Sequence, residues 1–189
     1  MKVRIYVILA WLMVLLHGMN VVAEEEDTVL TPLLGLPTAI DHYIDCFAIE
    51  QSKFNPRLKL VAKNAEAQCG GKVTKLALLF ELDDKVDIPY ARKMITYLVG
   101  TFIDGMNAHP EKFQACFTTF PLTLEDVVLR IRVQPNPGYF VYPSLDNIAS
   151  ITSMDGVIIY GTLNSYTYAM DSLRTESYAQ AVKMAAGKE

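Results

Sequence analysis

Two histidine–cysteine combinations are where this chain could do nucleophilic chemistry. His42 and Cys46 are four residues apart, and on a helix that spacing puts both side chains on one face. An imidazole beside a thiol can take its proton and leave a thiolate nucleophile. His109 and Cys116 make the second combination. A hydrolase using Cys46 or Cys116 with His42 or His109 is therefore one reading. Against it, Asp45 lies off the His42 face and does not orient that ring, and no cysteine-protease signature surrounds either cysteine. The plainer reading is an amphipathic helix whose Cys46 is buried or disulfide-bonded, and on it no catalytic residue is assigned.

The remaining candidates are weaker still. A metal centre made from His42, Cys46 and Cys69 lacks the four closely spaced ligands of structural zinc, so no metal and no cofactor is assigned. Asp83, Asp84 and Asp87 lack the spacing of a calcium loop and are expected to form a solvated loop that caps the next helix. Gly70-Gly71-Lys72 lacks the rest of a phosphate loop. Arg130 and Arg132 are two apart, so a strand presents both on one face. They either meet an acidic partner or lie on the solvated face of a sheet. Tyr139, Phe140, Tyr142, Tyr160, Tyr166 and Tyr168 gather in the C-terminal third. Exposed tyrosines suit protein interfaces; half-buried strand aromatics are the alternative.

Charge narrows the partner class. The chain has 189 residues and a net charge of −4, which argues against nucleic acid because phosphate neutralisation needs a basic surface. Its first residues form an address. Lys2 and Arg4 precede an unbroken apolar run, Ile5 to Leu16, of 12 residues. That is short of the roughly 20 residues needed to span a bilayer. Val21-Val22-Ala23 then offers small residues for signal peptidase, so cleavage is expected after Ala23. The segment 1–23 carries two basic and no acidic residues, so the mature chain has 166 residues and a charge of −6. No later apolar stretch is long enough to cross a membrane. The protein is expected to be exported, periplasmic or secreted.

Export places the three cysteines in an oxidising compartment. Three is odd, so at most one internal bridge forms. A Cys46–Cys69 bridge is the favoured pairing, its loop of about 24 residues contributing about 3 kcal/mol by the chain-entropy model. Other pairings, or three buried thiols, stay open.

Several elements are expected to position these residues. Segment 24–36 begins Glu-Glu-Glu-Asp and reads as a flexible acidic terminus, and 37–186 as one domain. Ile40, Tyr43, Ile44, Phe47 and Ala48 have helical spacing from Pro37 to about Ser52. Segment 58–67 reads as a short helix. Val73–Leu82 and 125–133 alternate as strands, and Pro135-Asn-Pro-Gly138 marks a loop. Between the strands, Ala91, Met94, Ile95, Leu98, Val99, Phe102 and Met106 form the apolar stripe of a long helix over 88–108, with Arg92 and Lys93 largely outside it. Asp155-Gly156 predicts a two-residue hairpin pairing Met154 with Val157, Ile151 with Tyr160, Thr152 with Ile159 and Ser150 with Gly161. Segment 163–170 reads as irregular, and Ser177-Tyr-Ala-Gln180 as a capping box opening a terminal helix through Ala186. The class is α+β: a three- to four-stranded, mostly antiparallel sheet with the long helix packed on one face. The alternative is that the long helix crosses between parallel strands.

Lys75-Leu-Ala-Leu-Leu-Phe-Glu81, Ile88-Pro-Tyr-Ala-Arg92, Ile103-Asp-Gly-Met-Asn107, Phe120-Pro-Leu-Thr123, Gly156-Val-Ile-Ile-Tyr160 and Glu176-Ser-Tyr178 together resemble small exported bacterial α+β proteins of uncharacterised function. The resemblance spans residues 72–184. It implies no catalytic residue. The expectation is an exported, non-catalytic module that binds another protein, with oligomeric state unassigned. An exported Cys/His-dependent hydrolase and a small-ligand carrier with a helix–sheet pocket are the alternatives.

Overall fold

The computed structural model describes residues 36–68, 70–134, 148–163 and 170–187. The signal segment with its cleavage point at Ala23, nearly all of the acidic segment, Cys69, the 135–138 loop and five of the six C-terminal aromatics lie outside the described residues. In chain order the elements are α1 (Thr38–Phe54), β1 (Leu58–Ala67), β2 (Val73–Leu82), α2 (Ile88–Asn107), α3 (Pro110–Phe113) with a 3-10 turn (Gln114–Cys116), β3 (Val127–Val133), β4 (Ser150–Met154), β5 (Val157–Leu163), β6 (Met170–Ser177) and α4 (Tyr178–Ala185).

The α+β class is as expected, but the sheet is larger: six strands in the order β1 to β6, rather than three or four. Both added strands sit at its edges. Segment 58–67, expected as a helix, is β1. Leu58, Val61, Ala62 and Ala65 do have helical spacing, but the segment is ladder-paired along β2 from Leu58↔Leu82 to Ala67↔Val73. Pairing of this kind overrides weak local preference. β6 is exposed at seven of its eight positions, and its two large apolar residues, Met170 and Leu173, do not alternate.

Four neighbouring pairs are antiparallel and one, β2–β3, is parallel. A parallel pair needs a long crossover, and α2 is that crossover. The β4–β5 hairpin has the predicted register at every pair, with positive φ at Asp155 (51°) and Gly156 (72°). Gly70 and Gly71 also take positive φ, 106° and 80°, in the turn where the Gln68 amide reaches the Lys72 carbonyl.

The registers place Leu60, Phe80, Ile131, Ile151, Tyr160 and Arg174 in one row across the sheet, and so on one face. The long helices cover that face. From α2, Ile95, Leu98, Val99, Phe102 and Met106 are at most 1% exposed, against Leu76, Phe80, Leu129 and Ile131 at 0%. These side chains pack α2 onto the sheet. The Phe47 ring of α1 lies 5.2 Å from that of Phe102 and 6.4 Å from that of Phe80. On the other flank of α2, Tyr178 of α4 donates its hydroxyl to the Thr96 carbonyl at 2.8 Å. The opposite sheet face, with Lys75, Leu79, Glu81, Val128, Arg130 and Arg132, is covered by no helix among the described residues. No helix among them is long and apolar enough to cross a membrane.

Local chemistry sets the helix ends. Asp87 Oδ1 accepts the Tyr90 amide at 2.8 Å and caps α2, and Ser177 Oγ accepts the Gln180 amide at 3.2 Å and caps α4. α1 and α2 approach closely at Gly105, where a Cβ would lie 2.2 Å from the Tyr43 hydroxyl oxygen.

Candidate functional site

The outward face of α1 is where the structure brings predicted reactive residues together. The helix is anchored from beneath by Ile40, Ile44 and Phe47. Its β1 flank is clamped by Lys63, whose Nζ lies 2.7 Å from Asp41 Oδ1 and 2.6 Å from Asp45 Oδ1. Burial alone would lower the Lys63 pKa, but the two carboxylates outweigh it and hold the ammonium above its ordinary value. Asp45 is thereby committed to Lys63 and does not orient His42. On the exposed side, Cys46 Sγ lies 3.6 Å from His42 Nε2 and 4.0 Å from Nδ1. Cys46 carries a free, exposed thiol; its expected bridge partner, Cys69, lies outside the described residues.

The second combination does not converge. His109 precedes α3 and its Nδ1 lies 3.4 Å from Glu111 Oε1. Cys116 Sγ is 3.9 Å from the Lys112 carbonyl, with no histidine in reach among the described residues. Nor do the described residues contain a group of three His, Cys, Asp or Glu side chains able to hold a metal ion. Asp84 pairs with Arg57 at 3.0 Å, and Asp87 is the α2 cap. Arg130 and Arg132 share the open sheet face, where Arg132 pairs with Glu81 and Arg130 Nε donates to Thr152 Oγ1 at 3.2 Å. Tyr160, read as a possible surface aromatic, is fully buried.

Tyr160 belongs to a polar cluster that sequence reasoning missed. Arg92, expected largely outside the α2 stripe, is only 6% exposed. It reaches down to β6 and grips Glu176 with two parallel bonds, Nε to Oε1 at 2.7 Å and Nη2 to Oε2 at 3.0 Å. Tyr160 donates its hydroxyl to the same Oε1 at 2.6 Å, and Arg174 Nη2 lies 3.4 Å from Oε2. Burial would raise the Glu176 pKa, but the bonds from Arg92 and Tyr160 outweigh it and hold the carboxyl below its ordinary range. Burial, then the bond to Glu176, pushes the Tyr160 phenol upward. The cluster ties α2 to the edge of the sheet. Arg92 and Glu176 are 84 residues apart, and no local pattern links them.

Two surface features lie beside these clusters among the described residues. An open groove of about 560 Å³ runs beside the C-terminal half of α2, lined by Gly100, Ile103, Asp104, Leu124, Glu125 and Tyr178 among others. The outer surface of the α1–α2 pair exposes four large side chains: Phe54 (77%), Ile49 (59%), Tyr97 (52%) and Tyr90 (47%). The helices meet there through Asn55 Nδ2, which donates to the Tyr90 hydroxyl at 3.5 Å. No family model, no curated protein and no solved structure matches the chain.

Proposed function

We propose that the protein is an exported, non-catalytic module that binds another protein through the outer surface of its helix layer. The observation that carries this reading is the exposure of Phe54, Ile49, Tyr90 and Tyr97 on two adjacent helices. Each apolar Å² removed from water is worth about 25 cal/mol, and the core beneath is already filled, so a partner is what can bury these groups. Tyrosine suits the role because its large, stiff ring loses little entropy on contact. Export is supported by the Lys2/Arg4, apolar-run and Val21-Val22-Ala23 pattern.

A photo-crosslinking residue at position 97, compared with one at Glu66 on the β1 edge, tests the reading in the native host. The expected result is a discrete protein adduct from position 97 alone, on a product whose first residue is Glu24. Adducts from neither position, or equally from both, overturn the proposed surface. A product retaining Met1 overturns the export reading.

A further inference from the structure

We draw no further inference here: the strongest candidate, the open groove beside the C-terminal half of α2, sets two exposed carboxylates, Asp104 and Glu125, beside Ile103 and Leu124, and nothing in the structure shows what would occupy it.

Discussion

Replacing Glu176 with glutamine removes a charge while keeping the shape, and the structure sets how much that should cost. The carboxylate accepts two bonds from Arg92 and one from Tyr160 at 2.6–3.0 Å. A glutamine amide has one accepting oxygen, and Arg92 bonds both oxygens of Glu176, so in either orientation the new NH₂ faces an Arg92 N–H, donor against donor. The Arg92 charge, 6% exposed, is left without an anion, and Arg174 nearby adds a like charge. Breaking a buried pair in this way costs about 3–5 kcal/mol, a large share of the roughly 5–15 kcal/mol that holds a domain of this kind folded. The triple variant Arg92→Met, Tyr160→Phe, Glu176→Met removes every member of the cluster and should lose less than Glu176→Gln alone, because no buried group is left unsatisfied. Urea unfolding followed by far-UV circular dichroism at pH 7 measures both. The penalty should shrink in acid. With a folded-state pKa below its ordinary value, Glu176 contributes stability that is complete above the unfolded carboxylate pKa of about 4.3 and is lost as pH falls toward the folded value. A Glu176→Gln loss under about 1 kcal/mol, or a triple variant as unstable as the summed single changes, would refute the reasoning.

Three further outcomes follow from single contacts. Gly105→Ala should destabilise by about 1–3 kcal/mol through overpacking against the Tyr43 hydroxyl. In a Tyr43→Phe background, where the nearest remaining ring carbon is 3.3 Å away, the same change should become neutral or favourable, since alanine exceeds glycine in helices by about 1 kcal/mol; thermal melts of the four variants report the coupling. Burial pushes the Tyr43 phenol up to about 12 and raises those of Tyr160 and Tyr178 as well. Their stability contribution is therefore present below the unfolded value near 10 and lost as pH rises above it, so the alkaline limb of unfolding should be steep and Tyr43→Phe should flatten it. Asn107→Ala should cost about 2–4 kcal/mol in urea unfolding, because Asn107 both accepts the Leu122 amide at 2.8 Å and donates to its carbonyl at 2.9 Å.

Elements written in local chemistry were legible from the chain alone. The α2 stripe with its Asp87 cap, the alternation of β2 and β3, the Asp155-Gly156 turn with its whole register, and the Ser177–Gln180 cap each depend on residues a few positions apart. Their geometry is a property of the segment. The His42–Cys46 pair was legible for the same reason, since four residues of helix fix its spacing. What remained hidden depends on residues that only the folded chain makes neighbours. β1 and β6 are edge strands, so solvent blurs their alternation, and pairing to β2 and β5 is what makes them strands. The parallel β2–β3 pairing, left open between two readings, is decided by where α2 returns the chain. Arg92 looks like a surface residue in sequence and becomes a buried one because Glu176, 84 positions later, supplies the charge that lets it leave water. Periodicity and turn preference act over a few residues, whereas burial of a charge depends on a partner whose distance along the chain is arbitrary, and that is the physical reason the two kinds of information separate.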